Sequence, residues 1–324
     1  MSQILIETRG LKKYYKTAGG LLHAVDGVDL SIEKGKTLGV VGESGCGKST
    51  LGRTLLRLES ATGGEVLFDG KDVLKMKQAE FAKVRQKMQM IFQDPYSSLN
   101  PRMTVARLIS EPLRVNGVGS HSEIRERVEE LMDLVGLAPS YADSYPHELD
   151  GGRRQRIGVA RALALRPEFI VCDEPVSALD VSIQAQILNL LMDLQDKLGV
   201  TYMFITHDLS VVKHISDEIM VMYLGQCVER AGSDELFRNP CHPYTKALLS
   251  AIPNPYYVAG KERKPVIKGE IVSPVDPEPG CRFAKRCPDC REGCTGCDLP
   301  LKEISPGHFV SCVLFPQEEG ADHA

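Results

Sequence analysis

Apolar residues along this chain fall into short uninterrupted runs that alternate with stretches at helical spacing. Thr37-Leu38-Gly39-Val40-Val41 reads as a buried strand, and the leucines between Leu51 and Leu58 recur behind it at helical spacing. Residues 3–9 and 26–33 read as early strands on either side of a polar turn, Lys16-Thr17-Ala18-Gly19-Gly20. Residues 64–68 and 88–92 are further strand candidates, and the two prolines and small polar residues of 93–101 predict a loop. Val105, Leu108 and Ile109, then Ile124, Val128, Leu131, Met132 and Val135, give helical periodicity over 103–136. Asp150 is placed to cap a helix that runs on through Ile157, Val159, Ala160, Ala162 and Leu163. Phe169-Ile170-Val171-Cys172-Asp173 is a buried strand, 183–197 a helix with Ile183, Ile187, Leu190, Leu191 and Leu194 on one face, and Thr201–Thr206 another core strand. Residues 219–223 and 226–229 flank Leu224-Gly225 as a hairpin.

Strands alternating with helices predict an α/β fold with a mostly parallel core sheet, and the hairpins add an antiparallel β subdomain. From residue 253 the character changes, with prolines at 253, 255, 265, 274, 277 and 279. A linker is expected there, followed by a small Cys-rich module over 281–312. The expected domains are 1–252, with a helical subdomain at about 95–165, and 253–324.

Composition narrows the function. With 324 residues, 43% hydrophobic and 25% charged, the chain has the make-up of a globular protein with a sizeable core. The net charge of −4, without a Lys/Arg block, argues against nucleic acid as a partner. The N-terminus lacks the apolar stretch of a signal peptide, and no apolar run approaches the roughly 20 residues that span a bilayer. A cytosolic protein is expected, with any membrane role exerted through a partner. Six of the ten cysteines follow residue 280, which in a cytosolic chain suggests a metal or redox site before a disulfide framework.

The chemistry centres on Gly42-Glu43-Ser44-Gly45-Cys46-Gly47-Lys48-Ser49-Thr50. Between a strand and a helix, this spacing of glycines, Lys and Ser is a phosphate-binding P-loop. Its backbone N–H groups and the helix N-terminus would cradle phosphates, Lys48 would reach the β- and γ-phosphates, and the Ser49 hydroxyl would sit on Mg²⁺. Asp173 and Glu174 end a buried strand, where an acid is costly unless it is used or paired. His207 ends the next core strand, the position at which ligands bind in open α/β sheets. Tyr14 and Tyr15 are open between buried packing and a stacking surface for a purine.

Taken in order, these motifs resemble the ATP-binding subunit of an ABC transporter, over nearly the whole chain. The resemblance implies that Tyr15 stacks on adenine and that Gly42 to Thr50 bind the phosphates. Gln93 matches the Q-loop glutamine that senses Mg²⁺, and Glu148 to Gln155, with Asp150, Gly151 and Gly152, occupy the signature position. Asp173 holds Mg²⁺ and Glu174 is the base or water-orienting group. Ser177-Ala178-Leu179-Asp180 matches the D-loop, and His207 is the switch histidine. Asn239-Pro240-Cys241-His242-Pro243-Tyr244-Thr245 and the Phe92–Arg102 stretch resemble the dipeptide/oligopeptide importer ATPases, a group that includes nickel importers. The implied partners are two membrane permease subunits, a second homologous ATPase in a heterodimer and an extracytoplasmic peptide-binding protein. The implied location is the cytoplasmic face of the cell membrane. A nickel importer ATPase and a DNA-repair type ABC ATPase are the alternatives. The latter would have a coiled coil, a duplicated cassette or a basic groove, and the sequence has none of these. A metal-sensing module whose cassette only binds nucleotide is a third reading.

Two departures from the family pattern stand out. The signature, usually L-S-G-G-Q, reads Leu149-Asp150-Gly151-Gly152-Arg153, which puts a carboxylate where a serine would donate to a γ-phosphate, with Arg153 as a partial counter-charge. Cys281, Cys287, Cys294 and Cys312 match the family's pattern for a [4Fe–4S] cluster. The extra Cys290 and Cys297 create Cys-x2-Cys pairs that also read as Zn²⁺ spacing.

Overall fold

The structure, a computed structural model, describes residues 3–252 and 273–315. Most of the linker expected from residue 253 lies outside the described residues. In chain order the first elements are β1 (Ile4–Thr17), β2 (Gly20–Glu33), β3 (Thr37–Val41), α1 (Lys48–Leu55), β4 (Gly63–Phe68), β5 (Lys71–Asp72), α2 (Gln78–Lys87) and β6 (Met88–Ile91). Then come α3 (Pro95–Ser98), α4 (Val105–Val115), α5 (His121–Leu134), α6 (Gly151–Leu163), β7 (Phe169–Asp173), α7 (Val181–Leu198) and β8 (Thr201–Ile205). The last are α8 (Leu209–Ile215), β9 (Glu218–Tyr223), β10 (Gln226–Gly232), α9 (Ser233–Arg238), α10 (Pro243–Ser250), β11 (Lys302–Ser305) and β12 (His308–Val310). Among the described residues no helix is long and apolar enough to cross a membrane.

The chain folds as two compact units. One consists chiefly of Phe68–Ile205, with Ile32–Thr37 and the first described residues as far as Leu5. Its β6, β7 and β8 run parallel in the order β8-β7-β6. Every residue of β7 and β8 is buried, which is why both read as continuous apolar runs rather than alternating ones. The helical subdomain follows the predicted periodicity but as two helices. Val105, Leu108, Ile109 and Leu113 of α4 are buried, as are Val128, Leu131 and Met132 of α5. The break between them is set by a capping box, in which Ser120 and Glu123 satisfy each other's backbone N–H groups. α6 lies so close to α7 that a Cβ on Gly152 would come 2.8 Å from the Ile183 side chain.

The other unit comprises Ile6–Ser31, Leu38–Leu67 and the described residues from Thr206 on. β2, β1 and β4 lie side by side as the antiparallel β subdomain. Both β1 and β2 are longer than expected. Buried Val28, Leu30 and Ile32 alternate with outward polar residues, the pattern of a strand with one face in the core. β3 pairs in parallel with β9, and β9 returns antiparallel as β10 through the predicted Leu224-Gly225 turn. Both turn residues have positive φ, at 42° and 84°, as a tight hairpin turn requires.

β11 and β12 were not expected from the sequence. β12 adds to β10, and β11 to β12, so the region around the cysteines extends the same sheet. Glu229, fully buried in β10, is the fastening. Its carboxylate accepts from the Cys241 and His242 N–H groups at 2.7 and 2.9 Å and lies 2.8 Å from His308 Nε2 of β12. A buried carboxylate is tolerable here because each oxygen has a partner.

Candidate functional site

The P-loop joins β3 to α1. Gly47 has φ 105°, and a Cβ there would sit 2.0 Å from the Ala24 carbonyl oxygen, so only glycine fits. α1 starts with no side-chain cap and no acid in its first turn. Lys48 is buried, and its ammonium donates to the carbonyls of Gly42 at 2.8 Å and Glu43 at 3.0 Å. Ser49 and Thr50 are half-buried on the first helical turn, and Ser44 and Gly45 are exposed. The arrangement sets a buried cation at a helix N-terminus, which suits an anion.

Two further predicted residues belong to the same unit. His207 is exposed just before α8, whose N-terminal amides are capped by Asp208. Tyr15 is half-buried with the Lys13 ammonium 4.6 Å above its ring, whereas Tyr14 stacks on His23 at 3.9 Å between centroids and donates to Asp26. Tyr14 is therefore the packing tyrosine of the pair.

The acids lie in the first unit. Asp173 is fully buried at the end of β7, and Glu174 follows with φ 45°. A non-glycine residue in that region is held by its surroundings. The Glu174 N–H donates to the Ile205 carbonyl at 3.0 Å, and its carbonyl accepts from the Ser177 hydroxyl at 3.1 Å. Its carboxylate accepts from Gln93 Nε2 at 2.9 Å. The Q-loop amide and the candidate base, 81 residues apart in sequence, thus touch directly. At the signature, Asp150 caps α6, its carboxylate accepting from the Arg153 N–H at 2.8 Å and pairing with the Arg153 guanidinium.

A family model described as ABC transporter matches residues 25–177, and one described as the C-terminal region of oligopeptide/dipeptide transporters matches 228–294. An oligopeptide transport ATP-binding protein of Bacillus subtilis, AppF, is 51% identical over 97% of this chain and 98% of its own length. The dipeptide transport ATP-binding protein DppF of Escherichia coli is 50% identical over 98% of this chain and 97% of its own. The chain belongs to the ABC transporter ATP-binding proteins of the oligopeptide/dipeptide family. Solved cassettes agree on the fold. A dimeric MJ0796 cassette bound to ADP and Pi matches with a TM-score of 0.65 at 30% identity, covering 71% of this chain and 99% of that one. The cbiO1 structure from Clostridium perfringens matches with a TM-score of 0.66 at 28% identity, covering 73% and 92%. As a member of this family the chain binds and hydrolyses ATP with Mg²⁺, and it works with membrane permeases and a second cassette.

The C-terminal region distinguishes this family member from a bare cassette. Burial is the main cause that pushes the Cys281 thiol up to about 11, and the neighbouring Cys312, Cys294 and Cys287 thiols add to it. Cys294 is buried and receives an N–H from Arg291 at 3.4 Å, while Cys290 and Cys297 are exposed. Two residues that sequence reasoning did not connect to the nucleotide loop reach it from this region. Arg286 pairs with the Glu43 carboxylate, and the Tyr244 hydroxyl accepts from the Glu43 N–H. The only signal available was an arginine set directly before Cys287.

Proposed function

We propose that this ATPase powers import of dipeptides or oligopeptides. The carrying observation is the pairing of the ABC model with the oligopeptide/dipeptide C-terminal model on one chain, with relatives about half identical along its whole length. The partners in this reading are two membrane permease subunits, a second homologous ATPase and an extracytoplasmic substrate-binding protein, with this chain on the cytoplasmic face of the membrane. The cassette comprises 1–252 and the family extension 253–324. The decisive experiment is ATP turnover in membranes with the permeases, binding protein and graded peptides. Peptide-stimulated turnover supports the reading. Stimulation by Ni²⁺ alone would assign a nickel importer, and turnover indifferent to permeases and cargo would reject transport.

In the site, Lys48 and the amides of Gly42 to Thr50 bind the phosphates, and Tyr15 stacks on adenine. Ser49, Gln93 and Asp173 serve Mg²⁺. Glu174 orients or deprotonates the attacking water, and the Gln93 contact supports this role by holding the carboxylate in place. His207 contacts the γ-phosphate. Gly151, Gly152 and Asp150 face nucleotide bound to the second ATPase. Because Asp150 replaces a hydroxyl donor with a carboxylate, the two composite sites of a heterodimer differ, and the one served by Asp150 turns over more slowly.

The thiols Cys281, Cys287, Cys294 and Cys312 carry a [4Fe–4S] cluster in this reading. Support comes from the match of these four positions to the family's cysteine spacing. The bound cluster would supply a covalent tie between the segments that carry these thiols. Anaerobically purified protein should contain about four irons per chain. Stoichiometric zinc without iron would replace the cluster with a Zn²⁺ site.

A further inference from the structure

The nucleotide loop is gripped from outside the cassette core by a single turn of the C-terminal region. Residues 281–287 close on themselves through N–H groups of Ala284, Arg286 and Cys287 that reach carbonyls three residues back, at 3.0, 2.9 and 3.3 Å. Phe283 at the centre of this turn is 1% exposed and packs edge-on against Tyr223, with Tyr244 tilted against it. The two arginines inside the turn, Arg282 and Arg286, both point at the P-loop and its support.

Arg286 makes two contacts to the Glu43 carboxylate, at 2.8 and 3.1 Å, and a third to the Tyr223 hydroxyl at 3.2 Å. Its side chain is 8% exposed and that of Glu43 23%. Two parallel N–H···O contacts fix orientation as well as distance. The Tyr244 hydroxyl of α10 accepts from the Glu43 N–H at 2.9 Å, so the backbone of this loop residue is held as well as its side chain. Arg282 pairs with Asp26 and donates to the Leu224 carbonyl, and the adjacent Gly225 N–H donates to the Cys46 carbonyl of the loop at 2.8 Å. Both guanidiniums are nearly buried, where a charge is costly without its partner.

We propose that Arg286, with Tyr244, is a positioning residue of the nucleotide loop, making the turn between Cys281 and Cys287 part of the ATP site. Neither residue belongs to the stretch Gly42 to Thr50. They hold Glu43, and through it the carbonyls on which Lys48 rests, so the loop stays in the shape that receives ATP. The inference rests on the reading of Gly42 to Thr50 as the nucleotide loop. It does not depend on which metal the thiols carry.

The test is equilibrium binding of Mg-ATP to the full-length chain, with ATPase kinetics in the assembled transporter. Arg286→Met and Glu43→Gln should each weaken ATP binding about tenfold, a coupling of ordinary size between two sites. The loss should fall on KM more than on turnover at saturating ATP. The double variant should bind no worse than the weaker single one, because both remove the same contact. Arg286→Lys should recover part of the loss. Tyr244→Phe removes one oxygen and should weaken binding about fivefold, at the low end of that coupling range. It keeps the test decisive if Arg286→Met fails to fold. Affinities within twofold of wild type in Tyr244→Phe and Glu43→Gln, or additive losses in the double variant, overturn the proposal. A wild-type chain that binds no ATP would instead reject the nucleotide reading itself.

Discussion

Two helix N-termini in this chain are built for anions in opposite ways. α1 begins behind Gly47, with no capping side chain and no acid in its first turn. α6 begins behind Asp150, whose carboxylate occupies the Arg153 N–H and is itself paired with the Arg153 guanidinium. Both ends carry the positive end of a helix dipole. The first has no capping side chain and carries a buried lysine at its start. The second satisfies part of itself with its own negative charge. A helix N-terminus is thus an anion site only where the sequence withholds a cap, and the residue at the N-cap decides which of the two it becomes.

The largest expected effect tests the catalytic side of this contrast. Glu174→Gln should retain ATP binding while single-site turnover falls about 100-fold or more, the range for losing a general base. Undiminished turnover would remove Glu174 from that role. Next, Lys48→Ala should weaken ATP binding on the order of tenfold to 100-fold, the value of charge-assisted hydrogen bonds to phosphate, measured by titration calorimetry. An unchanged affinity would mean that the open helix end suffices alone.

Smaller effects belong to Asp150. In a transporter whose first site is silenced by Glu174→Gln, Asp150→Ser should raise residual turnover about twofold to fivefold, since about 1 kcal/mol of repulsion is removed and Arg153 already offsets part of it. No change would leave Asp150 with capping alone. The smallest effect is on stability. Asp150→Ala should cost about 1 kcal/mol through loss of the cap, seen as a lower unfolding midpoint, whereas Asp150→Ser should cost almost nothing, because serine caps as well. Equal losses in both would mean that the ion pair, not the cap, stabilises this end.

The cap at Asp150, the P-loop between β3 and α1, the acids ending β7 and the Leu224-Gly225 hairpin were all legible in the sequence. Each depends on residues within a few positions of one another, where period, turn chemistry and capping act directly. The addition of β11 and β12 to the sheet was not legible. Strands of four and three residues carry too little pattern, and β12 is placed by Glu229, 79 residues from His308.

By itself the sequence determined the order of strand, loop and helix, the chemistry available at each turn and the family to which the chain belongs. Only the tertiary structure decided which charges meet. Arg286 finds Glu43 across 243 residues and Arg282 finds Asp26 across 256. The physical reason is that local propensities choose backbone conformation residue by residue. The partner of a buried charge is chosen instead by packing, because leaving such a charge unpaired costs more than bringing distant segments together.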